Sequence, residues 1–200
     1  MSPADYNSEK RDVLVEQTRQ RIIDAAVQLL ADGKSGADFT LEAVAVRAAV
    51  TRKTVYNHFD SRAGLAEAIF DRTGREGGLT QLPAAFANPD PIAGLTTIVQ
   101  VFCRFWALHQ GVMPRLAATI AADRELSERL AARAERRRQG LAMLVGRLGG
   151  VPDDGLVDLL FTVTAMPFFE ALKHGGRSDA EIEALVLRTV MTLVGGLIHR

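Results

Sequence analysis

The chain has 200 residues, 48% of them hydrophobic but only 6% aromatic, which suffices for a sizeable core in one domain or two small ones. Its 24 Lys and Arg balance 24 Asp and Glu, and a net charge of zero excludes a nonspecific nucleic-acid coat while leaving room for a local basic patch. A single cysteine, Cys103, excludes a disulfide framework or a cysteine-rich metal site within one chain.

The N-terminus, MSPADYNSEKRD, is polar and lacks a signal-peptide apolar core, and no stretch reads as the run of about 18 to 20 apolar residues that a membrane span needs. A cytoplasmic protein is expected. Long helical periods, short glycine or proline breaks and no alternating β-branched runs predict an all-α fold. Residues 1 to about 11 read as a mobile, solvated arm. The first helix then carries Ile22, Ile23, Ala26, Val27 and Leu30 on one face and ends near Gly33.

Residues 39 to 59 read FTLEAVAVRAAVTRKTVYNHF. Thr40 is a natural N-cap, and Leu41, Val44, Ala45 and Ala48 recur at helical spacing. Ala49 and Val50 break that register, and Thr51 caps a second short helix that turns Val55 and Phe59 inward. Two short helices joined by a tight turn form a helix-turn-helix. Ala45 permits close approach, with Val44, Val50 and Val55 as the wedge between the helices. Arg52, Lys53, Thr54, Tyr56, Asn57 and His58 are left facing outward. Those side chains can donate to phosphates and read base edges in a major groove. From residue 47 to residue 62 the cations Arg47, Arg52, Lys53 and Arg62 face only Asp60, so the basic patch is focused. Ser61 caps a fourth helix that runs to about Gly74.

With TRQRIIDAAVQLLADG before this motif and DSRAGLAEAIFDR after it, the segment from about 17 to 76 resembles the DNA-binding domain of the tetracycline-repressor (TetR) family. The matching positions are Thr18, Arg19, Ile22, Ala25, Ala26, Leu29 and Gly33, then Thr54, Tyr56, Phe59, Ser61, Arg62 and Leu65. The turn departs from the family's Ala-Gly-Val, reading Ala48-Ala49-Val50, and a non-glycine residue held at positive φ costs on the order of 1 kcal/mol. Lys53 stands where the family often has glycine. The resemblance implies a transcriptional regulator, usually a repressor, that binds a palindromic double-stranded DNA operator. It suggests Thr51, Lys53, Tyr56, His58 and Arg62 as phosphate anchors, with Arg62 and the amides near Ser61 presenting a helix N-terminus to a phosphate. Arg52, Thr54 and Asn57 are then the base readers, arginine favouring guanine and asparagine adenine. Thr40 both caps its helix and lies near the DNA backbone.

The stretch GREGGLTQLPAAFANPDP reads as a boundary, so the chain divides into a DNA-binding domain at 17–76 and a second domain at 91–200. Helices are expected over about 92–110, 114–122, 125–148, 152–174 and from 179 almost to the end. Pro114 suits a first turn, Gly149-Gly150 a stop, and Ser178 with Glu181 a capping box. Residues 184–198 carry one charge, Arg188, so this helix is apolar nearly all round and must be buried on more than one side. Residues 155–172 are similar, with Asp158 and Glu170 as the only charges. The economical solution is a homodimer in which the last two helices meet their copies in a four-helix bundle, as the family resemblance also implies.

The second domain is expected to hold a small-molecule effector pocket. Phe102, Trp106 and His109 lie on one stripe, and Phe161, Ala165 and Phe168 on another. Pro167 inside its helix predicts a kink. A kinked helix opposite a tryptophan and a histidine suits a pocket wall, although each aromatic also reads as core filling. His109 reads first as a satisfied structural histidine and second as a ligand contact, Cys103 reads as a buried inert thiol, and the run ARAERRRQ as a solvated helix face. No catalytic constellation, metal-ligand spacing or phosphate-binding glycine loop is found in the sequence, so neither an enzyme nor a cofactor is expected. A second domain that docks a protein in place of a small molecule is the alternative.

Overall fold

The computed structural model describes residues 3–32, 39–149 and 154–198, and no strand occurs among them. Gly33, Gly150 and Pro152, read as helix boundaries, lie outside the described residues. In chain order the helices are α1 (Pro3–Asp32), α2 (Leu41–Arg47), α3 (Arg52–Phe59), α4 (Arg62–Gly77), α5 (Leu82–Ala87), α6 (Pro91–Leu108), α7 (Met113–Ala121), α8 (Arg124–Arg147), α9 (Asp154–Val163), α10 (Met166–His174) and α11 (Asp179–Ile198), with a 3-10 turn at Leu79–Gln81 before α5. The chain forms two bodies, residues 1–72 with 111–127 and residues 73–110 with 128–200. The division falls within α4 and α8.

α1 is far longer than its apolar face predicts. The arm expected over residues 1–11 is helical from Pro3, whose missing N–H costs nothing in a first turn. The polar stretch hides this helix because it has no apolar stripe, yet it consists of helix-tolerant residues with no glycine before Gly33. Val13, Leu14 and Val15 stand exposed on it. Further along, Ile22, Ile23, Ala26 and Leu30 are buried.

In the first body, Val44 and Ala45 of α2, Val55 and Phe59 of α3, and Leu65, Ala66 and Ile69 of α4 are also buried. Arg115 of α7 donates from Nη1 to the carbonyls of Leu30 and Ala31, both at 2.9 Å, and so satisfies acceptors that the end of α1 leaves open. Arg72 pairs with Asp24, tying α4 to α1. The Arg115 link helps explain why α7 belongs with the N-terminal helices.

In the second body α6 is the central helix, in contact with α5, α10 and α11. Leu95, Ile98, Val99, Phe102 and Cys103 of α6 share one core with Leu141, Leu144 and Val145 of α8 and with Leu156, Val157 and Leu160 of α9. α11 adds Ile182, Val186, Val190 and Val194, a single stripe at a spacing of four. Its Leu185, Leu187, Met191 and Leu193 are only partly buried, so within one chain α11 covers one face and not two. The glycine- and proline-rich boundary stretch is folded: Pro83 opens α5, Ala85 is buried, and a Cβ added at Gly94 would come within 2.6 Å of the Ala85 carbonyl. Glycine there lets α5 and α6 touch at the backbone.

Two further expectations change. α6 is long and apolar enough to match a membrane span by length and composition, contrary to the reading of the sequence, and the bent pair α9–α10 would match if counted as one. Eight buried residues explain the apolarity of α6: it lies inside the second body's core. The helix expected over 152–174 is two helices, bent by 50°. Pro167 lacks an N–H, and its ring crowds the carbonyl four residues back, which is Val163, the last residue of α9. Thr164 and Ala165 form the corner, and Pro167 sits in the first turn of α10. By contrast the Ser178 capping box forms as expected, the Ser178 amide donating to Glu181 at 2.8 Å and the Glu181 amide to Ser178 Oγ at 3.3 Å.

The α2–α3 turn closes as a Schellman motif. The Ala49 amide donates to the Val46 carbonyl at 3.2 Å, and the Val50 amide donates to the Ala45 carbonyl at 3.0 Å. This motif requires a left-handed residue after the cap, and Ala49 takes it with φ 52°. Glycine occupies that region without the Cβ clash, so Ala49→Gly is expected to stabilise the chain by about 1 kcal/mol. A raised urea midpoint at unchanged slope checks this.

Candidate nucleic-acid interface and effector site

Two threonine caps fix the starts of α2 and α3. Thr40 Oγ1 accepts the Ala43 amide at 3.1 Å, and Thr51 Oγ1 accepts the Thr54 amide at 3.1 Å. Both caps have extended backbone, as N-cap residues do, so each helix starts at a fixed point. Ala45 and Ala48 at the α2–α3 contact are small and fully covered, with Val44 and Val55 buried beside them. Val50, expected in the same wedge, is only partly buried. Phe59 anchors the end of α3 in the core, and the Arg19 guanidinium of α1 lies 5.1 Å from its ring centroid.

With Val55 and Phe59 turned inward, Arg52, Lys53, Tyr56 and Asn57 are exposed along α3, Tyr56 by 57%. Thr51 is exposed at the start of α3, and His58 is partly buried near its end. Thr54 is also partly buried, and its hydroxyl lies 2.8 Å from that of Thr51. Its hydroxyl is thus engaged within the cap, unlike the exposed side chains of Arg52 and Asn57. Arg62, at the start of α4, has Nη2 3.3 Å from the Asp123 carboxylate. A phosphate at this point would compete with Asp123 for that guanidinium. Ser61 Oγ accepts the Gly64 amide at 3.0 Å and caps α4 beside it.

The second body gathers part of the proposed pocket. Phe102 and Trp106 stack with centroids 6.0 Å apart, and the Phe105 ring meets Trp106 edge-on at 4.6 Å and His109 at 5.3 Å. Phe161 reaches the same place from α9. Between Phe102 and Phe161 lies the guanidinium of Arg137, 4.3 Å and 4.1 Å from the two ring centroids. Arg137 Nη2 donates to the Phe161 carbonyl and, at 2.7 Å, to Thr164 Oγ1. Trp106 Nε1 donates to the Thr164 carbonyl at 3.0 Å. Phe102, Trp106 and Phe161 therefore converge on the corner between α9 and α10. Ala165 is the other corner residue, Phe168 is partly buried against the core from α10, and His109 ends α6.

Residues 22–69 match the family model described as bacterial regulatory proteins, tetR family. By this segment the chain is similar to the tetR family. The HTH-type transcriptional regulator SrpR of Pseudomonas putida is 47% identical over 55 residues, which are 27% of this chain and 25% of that protein. The HTH-type transcriptional regulator TtgW, also of Pseudomonas putida, is 41% identical over 54 residues, 27% of this chain and 40% of its own length. The matches thus span less than half of either relative. The fold extends further. A TetR-like transcriptional regulator from Rhodococcus sp. RHA1 superposes with a TM-score of 0.65 at 16% identity, over 92% of this chain and 97% of that one. NalD of Pseudomonas aeruginosa, the secondary repressor of the MexAB-OprM multidrug efflux pump, superposes with a TM-score of 0.66 at 20% identity, over 90% and 96%.

Arg137 is the residue that sequence reasoning missed. Within ARAERRRQ, Arg136 is solvated as expected, whereas Arg137 is pulled inward, and its Nε is buried without an acceptor. A run of three arginines gives no sign of which one turns in; only its position opposite Phe102 and Phe161 decides. Burial, then the neighbouring Arg138 charge, brings the Arg137 pKa down to about 10. No carboxylate pairs with it among the described residues, and the ring faces, at about 0.5–2 kcal/mol each, return only part of a desolvation penalty of several kcal/mol. Cys103 is buried, and its thiol is pushed up to about 12 by burial and then by the Glu183 and Asp179 charges, as an inert thiol should be.

His109 also ends with an orphan. Its Nε2 is buried without a partner. Burial lowers its pKa below the ordinary 6.5, opposed by Glu76 and by a hydrogen bond to the Thr73 backbone. The unfolded chain therefore binds a proton that the folded chain resists. This contribution to stability is complete above 6.5 and is lost as pH falls through the lowered folded value. Urea melts across this range should show His109→Phe losing less stability on acidification than the parent chain.

Proposed function

We propose that the chain is a sequence-specific DNA-binding transcriptional regulator, a repressor released from a palindromic operator by a small-molecule effector. The observation that carries this reading is α3 itself. It is a capped helix set by a Schellman turn within a tetR-family segment, with Arg52, Lys53, Tyr56 and Asn57 exposed in one row. DNA binding falls to residues 17–76, and effector binding and dimerisation to residues 91–200. Thr40, Thr51, Lys53, Tyr56, His58 and Arg62 contact phosphates, and Arg52 and Asn57 read bases, with Thr54 in a lesser part. Phe102, Trp106, His109, Phe161, Ala165 and Phe168 line the effector site.

A homodimer through the last two helices accounts for the partly buried Leu185, Leu187, Met191 and Leu193, and for the open space beside Gly195 and Gly196. Two recognition helices related by a twofold axis reach successive major grooves, so operator half-sites lie about one helical turn apart or slightly more. α4 is one continuous helix from Arg62, three residues after the end of α3, to Gly77. Effector binding that displaces α4 changes the spacing of the two recognition helices, and the avidity of the paired half-sites is lost. By linkage, operator weakens effector binding by the same factor, about 1–3 kcal/mol in ordinary cases.

Gel-shift titrations against a selected operator and its single-base variants test the assignment. Tyr56→Phe should weaken binding to all sequences by similar factors. Arg52→Ala should erase preference at one base pair, worth about 1–3 kcal/mol, and leave the other positions intact. Unchanged sequence preference in Arg52→Ala would reject the division into anchors and readers.

A further inference from the structure

We propose that the effector is an organic carboxylate, held by Arg137 at the corner between α9 and α10, with its apolar body against Phe102, Trp106 and Phe161. The inference rests on the effector reading above and adds the chemical class of the ligand.

Three observations carry it. The first is the lack of a countercharge: an inward-turned guanidinium has two aromatic faces and two neutral oxygen acceptors, but no carboxylate among the described residues. The second is the buried Arg137 Nε, an N–H with no acceptor. Unsatisfied donors of this kind are rare in folded chains, and one on a cation is rarer still. A carboxylate supplies both what the charge lacks and what the N–H lacks, and arginine's planar fork is the side chain best shaped to receive it. The third is the corner itself. Arg137 and Trp106 both bind Thr164, at its hydroxyl and its carbonyl, where Pro167 has already ended α9. Phe102 and Trp106 line α6 as far as this point, and two turns from Phe102 along the same stripe stands His109, whose Nε2 is also without a partner. Arginine serving only to close the end of α9 would leave the Nε orphan and the missing countercharge unexplained.

Trp106 is the only tryptophan in the chain, so its fluorescence reports directly on this corner. The full-length protein should be titrated with benzoate, phenylacetate and octanoate, and in parallel with the corresponding neutral amides, with thermal melts as a second readout. At least one carboxylate should change Trp106 emission saturably and raise the melting temperature, with a preference over its amide of about tenfold or more. Arg137→Gln should reduce that preference to about one, Arg137→Lys should keep part of it, and Arg138→Gln should leave it intact. Equal binding of acids and amides by the parent chain, or no saturable response to any acid, would overturn the proposal whatever the variants do. If acids bind through Arg137 yet leave operator affinity unchanged, the anion site stands and the effector reading fails. If only neutral compounds release operator, the effector reading stands and the anion site fails.

Discussion

The contact between α2 and α3 is the constraint from which the rest of the first body follows. Two short helices cannot hold their mutual angle by propensity alone, since isolated helices of this length are unstable in water. Their angle is set by small, fully buried Ala45 and Ala48, by the Val44 and Val55 side chains, and by a turn whose hydrogen bonds permit one backbone path. Ala49 must take a left-handed conformation on that path, and the chain accepts the strain. Once the turn is fixed, inward Val55 and Phe59 leave only one orientation for α3, and its polar side chains face outward as a consequence.

The second body has a comparable constraint at the end of α9. Pro167 ends the helix, and the corner it creates leaves backbone carbonyls that Trp106 and Arg137 take up. Such a corner could be closed by neutral donors. Using a partly buried guanidinium without a countercharge costs stability that the aromatic faces only partly restore. Under the proposed reading, a ligand carboxylate at this corner would offset that cost on binding.

Much of this was legible in the sequence, and what was missed has physical causes. The helix-turn-helix could be read because its caps, its small residues and its inward Val55 and Phe59 are local signals at fixed spacing. The same is true of the Ser178 box and the strained Ala49. The first turns of α1 could not be read, because a polar helix without an apolar face carries no period. α5 was hidden by the glycines and prolines around it, which mark close contacts and helix starts as often as linkers. Pro167 predicted a bend, though not that Thr164 would become its hub. Among the site residues, the α3 row could be read from its own helix. Arg137 could not, because its role depends on Phe102 and Phe161, which are distant in sequence.

Selection of bound sequences from a random double-stranded DNA library, using the intact chain, tests DNA reading by α3 most directly. The expected result is enrichment of a twofold palindrome with half-site centres about one helical turn apart, and loss of preference at a single base pair of each half-site, the rest being kept, in Arg52→Ala and in Asn57→Ala chains that still fold. Enrichment of no sequence, or of the same sequences by both variants, would contradict it.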